Sequence, residues 1–176
     1  LNADDAFGFG AGQEVGIGIG IPTGIACVGN MGAEARFNYS AVGDTVNIAA
    51  RIEAACKEVS FDILVSEATA QALPDCALLE AGALGLKGKT TRTRLFAVAG
   101  DEGVASSLDF GELQRLHSRL VENLRARAST SRSLANAAKL KAAAITPGLV
   151  SFYSRITRRS DHFIDIPADQ ASRIAE

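Results

Sequence analysis

Apolar positions recur with two different periods along the first hundred residues, and the change of period predicts the secondary structure. Strand-like patterns occupy residues 15–21, 25–28, 37–42, 62–65 and 95–99. Helical spacing runs from Asp44 or Thr45 to about Lys57, and a second helix begins after Ser66 and stops at Pro74. Strands mixed with helices in this way predict an α/β sandwich with helices on one sheet face.

Glycine alternates with isoleucine from Gly16 to Ile21. This pattern predicts a strand with one bare face, against which another element packs closely. It lacks the spacing and the strand-turn-helix order of a dinucleotide-binding loop. The long uncharged stretch that contains it, residues 15–33, is interrupted by glycines and Pro22, which argues against a membrane span.

The last third of the chain has a different pattern. Leucines at 113, 116, 120 and 124 form an apolar stripe, which predicts a helix over about 111–127. After a break at 128–133, an alanine-rich segment predicts a second helix over 134–145, ending at 146–148.

Charge divides the chain more sharply than hydropathy. Residues 1–111 carry a net charge of −7, residues 112–159 carry +8, and residues 160–176 carry −3. We therefore expect an acidic domain over 1–100, a linker over 101–111, and a basic helical extension over 112–176.

Composition narrows the class further. The chain has 176 residues, 47% of them hydrophobic, which is enough for one core and an appendage. Its cysteines are Cys27, Cys56 and Cys76, whose spacing fits neither a zinc site nor a disulfide framework and is typical of reduced cytosolic thiols. The sequence starts at Leu1 without a secretory leader, so we interpret it as a fragment of a cytoplasmic protein.

The most informative chemistry lies on the first predicted helix. Asn47 and Arg51 are four residues apart and therefore share one face of that helix. A side-chain amide can bind a sugar oxygen, and a guanidinium can bind phosphate through two hydrogen bonds. An arbitrary pair at this spacing would be a solvated helix face, but the surrounding residues favour a nucleotide site.

Four blocks carry a resemblance to a known family. They are Gly16–Gly24, Val28–Gly32, Arg36–Tyr39 and Gly43–Arg51. In this order they resemble the catalytic domain of class III adenylate and guanylate cyclases, over about residues 13–100. The resemblance implies a ferredoxin-like nucleotide cyclase fold that lacks its N-terminal strands here.

The same resemblance implies a reaction and a set of residues. The reaction is conversion of ATP to cyclic AMP and pyrophosphate in intracellular signalling, with Asn47 orienting the ribose and Arg51 neutralising charge at the α-phosphate. Ser40 occupies the base-selecting position, where a hydroxyl favours ATP and leaves GTP open. Lys87, in a basic hairpin loop, matches a lysine that reaches the triphosphate; a solvated turn is the alternative.

The resemblance also implies two Mg²⁺ or Mn²⁺ ions held by aspartates that would precede Leu1. Asp4 and Asp5 match neither metal motif and are interpreted as turn residues, so no metal ligand is assigned in this chain. In the family the site forms between two domains, which implies a homodimer and a fragment that is inactive alone. The other interpretation is a cyclase-derived module that has lost catalysis and serves dimerisation or regulation.

The basic extension allows two interpretations of its own. One is a helical segment that packs on the domain or its copy, and the other is contact with an anionic membrane surface. No base-reading motif accompanies the positive charge, so we expect no nucleic-acid partner. His117 and His162 are given no catalytic role.

Overall fold

The computed structural model describes residues 16–32, 38–85 and 92–158. The strands are β1 (Ile19–Ile21), β2 (Cys27–Met31), β3 (Asn38–Val42), β4 (Ile63–Ser66), β5 (Ala77–Gly85) and β6 (Arg92–Gly100). The helices are α1 (Asp44–Val59), α2 (Glu67–Gln71), α3 (Glu102–Ala105), α4 (Leu108–Arg125), α5 (Ser131–Ala142) and α6 (Pro147–Arg158).

The described residues form a four-stranded sheet in the order β1-β4-β6-β5. β1 and β4 are parallel, with Ile19 opposite Ile63, and α1 lies in the crossover that joins them. β6 runs antiparallel to both β4 and β5. This mixed arrangement confirms the predicted α/β sandwich with a helical C-terminal extension.

β2 and β3 form a separate antiparallel hairpin, with Gly29 opposite Ser40. Apolar side chains on it and beside it stay in solvent: Ile25 is 94% exposed, Tyr39 77% and Val28 56%. The hairpin therefore extends from the domain as an arm, and we call residues 25–31 and 38–42 the β2–β3 arm.

α1 is set by signals at both of its ends. Gly43 precedes it with φ of 148°, a value that side-chain-bearing residues rarely adopt. At the other end Ser60 takes the left-handed conformation and its N–H bonds the carbonyl of Cys56. The buried side of α1 consists of Ile52, Ala55, Cys56 and Val59.

α2 begins as predicted, because the Ser66 hydroxyl accepts a hydrogen bond from the Thr69 N–H. It ends at Gln71, three residues before Pro74. β5 was missed: its segment is rich in Ala, Gly and Leu, and it lacks the β-branched alternation that marks a strand. It is recruited by pairing with β6 along nearly its whole length.

Side-chain caps begin α3 and α4, the two helices that follow β6. The carboxylate of Asp101 accepts from the Val104 N–H before α3, and the Ser107 hydroxyl accepts from the Phe110 N–H before α4. Residues 101–111, expected as a linker, thus contain α3 and the start of α4. α6 was not predicted, because Pro147 was interpreted as the end of a helix. Pro147 is instead the first residue of α6, a position where a helix needs no hydrogen bond from the N–H that proline lacks.

The extension and the sheet share one hydrophobic core. Buried residues from α4, α5 and α6 join those of α1 and the sheet in a single cluster, which includes Leu113, Leu120, Phe152, Leu79 and Leu95. In the part of the chain that the structure describes, no helix combines the length and apolar character needed to cross a bilayer.

A buried polar chain fastens α4 and α6 to β5. His117 on α4 has its Nε2 at 2.9 Å from the Glu80 carbonyl and its Nδ1 at 2.9 Å from the Tyr153 hydroxyl. A carbonyl only accepts, so Nε2 carries the proton and Nδ1 accepts from Tyr153. The hydrogen bond that Nδ1 accepts from Tyr153 needs a neutral imidazole, and burial lowers the pKa of His117 to about 4.

We therefore predict that acid destabilises the fold through His117. Between pH 6.5 and 4 the unfolded chain binds a proton at this residue that the folded chain excludes, so stability falls as the pH falls through this range. The expected loss from pH 7 to pH 5 is about 2 kcal/mol. Urea unfolding at the two pH values measures it.

The matched variant is His117→Leu combined with Tyr153→Phe, which removes both polar partners at similar volume. Between pH 7 and pH 5 this variant should lose less stability than the natural chain, by about 2 kcal/mol. An equal loss in both proteins would show that His117 does not titrate in this way.

Candidate active site

Asn47 and Arg51 lie on one face of α1, one turn apart. Asn47 is exposed and Arg51 is half-buried. The buried residues of α1, from Ile52 to Val59, lie in its second half. The amide and the guanidinium are therefore presented to solvent by a helix that is anchored at its other end.

The strand beneath α1 sets the position of this face. A Cβ on Gly20 of β1 would lie 2.4 Å from the Glu53 nitrogen and 2.5 Å from the Ala49 carbonyl oxygen. Two residues earlier, a Cβ on Gly18 would lie 3.1 Å from the Cys56 Cβ. The bare strand face predicted from the Gly-Ile alternation is confirmed, and α1 is the element that packs on it.

The first turn of α1 is fixed by the loop that follows β1. The Thr45 hydroxyl donates to the Ile25 carbonyl at 2.8 Å. Gly24 leaves room for this hydroxyl, since a Cβ there would lie 2.4 Å from Thr45 Oγ1. The sequence offered Thr45 only as a candidate first residue of the helix, so its role as a tether was missed.

A cluster of hydroxyl groups holds the end of β1. Thr69 Oγ1 donates to the Ile21 carbonyl at 2.9 Å. Its proton is thereby used, so the hydroxyls of Thr23 and Ser66, at 2.9 and 3.0 Å, donate to it. Ser66 in turn accepts from the Thr23 and Thr69 amides. The loop after β1, whose Ile25 carbonyl binds Thr45 in the first turn of α1, therefore rests on α2.

The remaining predicted site residues differ in how they are placed. Ser40 is half-buried on β3, opposite Gly29, and its strand leads through Gly43 directly into α1. Lys87 lies outside the described residues. Arg94, near the same hairpin, is held by the carboxylates of Glu80 at 2.6 Å and Glu67 at 2.8 Å. The hydrogen bond that Arg94 donates to Glu80 raises the pKa of Arg94.

The described residues do not fit a metal centre. Across 16–32, 38–85 and 92–158, His, Cys, Asp and Glu side chains form no group of three or more that could hold an ion. Asp4 and Asp5 lie outside these ranges. The described site consists of donors for an anionic ligand, and we derive no step through a metal.

Comparison with known proteins identifies the family. Residues 1–99 match the adenylate and guanylate cyclase catalytic domain. The chain belongs to this family, as its four sequence blocks predicted.

Curated relatives agree with this assignment over part of their length. Adenylate cyclase 1 of Rhizobium meliloti (strain 1021) is 38% identical over 82 residues, covering 46% of this chain and 12% of that protein. The terminal-differentiation-specific adenylate cyclase of Dictyostelium discoideum is 33% identical over 94 residues, covering 51% and 4%. The chain thus spans a small share of the relatives that it matches.

Solved structures with local similarity include the adenylyl cyclase CyaB from P. aeruginosa, at 30% identity and a TM-score of 0.38, covering 44% of this chain and 39% of that one. A bacterial light-regulated adenylyl cyclase matches at 24% identity and a TM-score of 0.42, covering 56% and 28%.

We predict that Gly20→Ala displaces α1. The added methyl would meet helix backbone, which cannot rotate away as a side chain can, so the free energy of unfolding should fall by about 1–3 kcal/mol. Gly29→Ala in the β2–β3 arm is the matched control, because a Cβ there meets nothing within 4 Å. Urea unfolding of both variants measures the difference; equal stabilities would contradict the close contact.

Proposed function

We propose that this chain supplies part of an adenylate cyclase site, at which ATP is converted to 3′,5′-cyclic AMP and pyrophosphate. The observation that carries the proposal is the pair Asn47 and Arg51 on one exposed face of α1, in a chain of the cyclase family. The relatives named adenylate cyclase support ATP as the substrate.

In this reaction the ribose 3′-oxygen loses its proton and attacks the α-phosphorus, while the bond from that phosphorus to the pyrophosphate oxygen breaks. Asn47 hydrogen-bonds the ribose and holds the 3′-oxygen in line with the leaving group. Arg51 donates to the α-phosphate oxygens, where negative charge grows in the transition state. A half-buried guanidinium on a rigid helix provides this charge without reorganisation.

Ser40 and Lys87 complete the nucleotide contacts of the proposal. The hydroxyl of Ser40 accepts a hydrogen bond from the exocyclic amine of adenine, and because it can also donate, GTP is the alternative substrate. Lys87 pairs with the triphosphate as a point charge. Arg94 is assigned no nucleotide contact, because Glu67 and Glu80 already hold its guanidinium.

The proposal assigns the rest of the site to a second domain, supplied by a copy of the chain in a homodimer. The β2–β3 arm supports this, because it exposes Tyr39, Val28 and Val42, and its second strand leads directly into α1. Such apolar groups favour burial against a partner. The carboxylates for two divalent ions would also come from outside the described residues.

Cytoplasmic signalling is part of the proposal, since ATP is an intracellular substrate. The cysteines Cys27, Cys56 and Cys76 are free thiols, as a reducing compartment favours. A cyclase-derived dimerisation module without activity is the second candidate, supported by the exposed apolar side chains of the β2–β3 arm.

We predict that Arg51→Ala lowers kcat for cyclic AMP formation by at least about 100-fold with a much smaller change in KM. The reason is that the lost interaction strengthens as charge develops on the α-phosphate. Cyclic AMP production from ATP with Mn²⁺ measures it, in an assembly whose second domain supplies the metal-binding carboxylates. Arg119→Ala, at an exposed position of α4, is the control and should retain full activity.

Two results would count against the proposal. Normal turnover in Arg51→Ala would remove the proposed role of the guanidinium. No cyclic nucleotide from either ATP or GTP, in a dimeric assembly that does contain the metal-binding carboxylates, would favour the inactive module.

We further predict that Ser40 sets the base preference. Ser40→Ala removes a hydroxyl that pairs with the purine edge, so kcat/KM for ATP should fall about tenfold, the effect of one lost hydrogen bond. Ser40→Thr keeps the hydroxyl and should retain the preference. Competition between ATP and GTP in one reaction measures the ratio; an unchanged ratio in Ser40→Ala would exclude this residue as the selector.

A further inference from the structure

The helical extension contacts α1 at the end of that helix opposite its first turn. Arg155 of α6 donates to Glu58 Oε2 at 2.7 Å and to the Lys57 carbonyl at 3.5 Å. Both side chains of the ion pair are 27% exposed, so the pair is partly shielded from water. A cation at this place also interacts favourably with the negative end of the α1 dipole.

An apolar contact accompanies the ion pair. Phe61, two residues after the end of α1, packs edge-on against Phe152 of α6, with ring centroids 6.2 Å apart. Gly148, in the first turn of α6, also faces the Phe61 ring: a Cβ there would lie 3.6 Å from it. α6 therefore contacts the last turn of α1 through Arg155, and the segment just after that helix through Phe152.

The two halves of α1 are supported very differently. Its buried residues lie between Ile52 and Val59, whereas Asn47 is exposed and the first turn is tethered by Thr45. Asn47 lies eleven residues before Glu58, or ~16 Å along the helix axis at 1.5 Å per residue. A tilt of about 5° about the anchored end would move Asn47 by ~1.5 Å, by the same geometry.

We propose that Arg155 is a positioning residue for the cyclase reaction: by fixing the last turn of α1, it sets the direction in which Asn47 and Arg51 point. This inference rests on the proposed function of those two residues. Misplacement of a catalytic group by about 1 Å can cost on the order of 100-fold in rate. The helical extension thereby becomes part of the support of the active site.

The first test is steady-state kinetics with ATP and Mn²⁺, in the assembly whose second domain supplies the metal-binding carboxylates. Arg155→Met keeps the aliphatic stem and removes the charge, and should lower kcat about tenfold with less than a threefold change in KM. Arg155→Lys keeps the ion pair with Glu58 and should recover most of the rate. Arg158→Met, one turn further along α6 and exposed, is the matched control and should be unchanged.

A double-mutant cycle with Glu58→Gln shows whether Arg155 affects kcat through its ion pair with Glu58. If it does, each single change lowers kcat, and combining Glu58→Gln with Arg155→Met lowers it no further. Additive losses, full turnover in Arg155→Met, or an equal loss in Arg158→Met would overturn the proposal. Thermal unfolding confirms that the assays compare folded proteins.

Hydrogen exchange separates this inference from the proposed function. In Arg155→Met the amides of residues 47–56 should exchange faster than in the natural chain, while those of β5 and β6 keep their protection. Unchanged exchange in α1 would sink the positioning role even if the natural chain is an active cyclase. If α1 exchanges faster in Arg155→Met but the natural chain has no cyclase activity, the restraint of α1 by Arg155 stands and only the proposed function is rejected.

Discussion

The approach of α1 to β1 at Gly20 is the contact on which the rest of the structure depends. The helix backbone lies where any side chain on that strand residue would stand, with 2.4 Å between a would-be Cβ and the Glu53 nitrogen. This closeness allows Ile52 and Cys56 to reach the core, where they are 0% and 4% exposed. The same closeness restricts the orientation of the face that carries Asn47 and Arg51, so this contact bears on the proposed chemistry as well as on packing.

Features that depend on local sequence could be predicted, and those that depend on distant partners could not. The Asn47 and Arg51 face follows from helical spacing, the α2 cap follows from Ser66, and the close packing on β1 follows from the glycine alternation. β5 has no strand signal of its own and forms because β6 pairs with it. The Thr45 tether joins groups twenty residues apart, and no spacing rule reveals it. The placement of Ser40 relative to the helical pair likewise depends on the arm.

The opposite charges of the two parts of the chain acquire a structural meaning in the fold. Arg125 of α4 bonds Glu80 of β5 at 2.5 Å, and Arg155 of α6 bonds Glu58 of α1. The positive extension therefore faces acidic groups of the negative domain, and part of its charge is satisfied within the chain. Beneath these ion pairs His117 and Tyr153 form a buried polar connection that charge patterning could not indicate, because it consists of hydrogen bonds made by a neutral imidazole and a hydroxyl.

In the proposed function, α1 has to satisfy two opposing demands. Its reactive face must stay open to receive a nucleotide, so Asn47 cannot be immobilised by burial, yet preorganised donors accelerate a reaction only if they are held in place. α1 meets both demands by separating them along its length. The fully buried residues lie in its second half, and the first half keeps Asn47 exposed. Rigidity of the exposed half then depends on the two ends of the helix, where Thr45 binds the loop after β1 and Glu58 binds Arg155. A helix transmits an angular error along its whole length. For a given tilt, a change at the Glu58–Arg155 contact therefore displaces Asn47 further than a change at a nearer contact would.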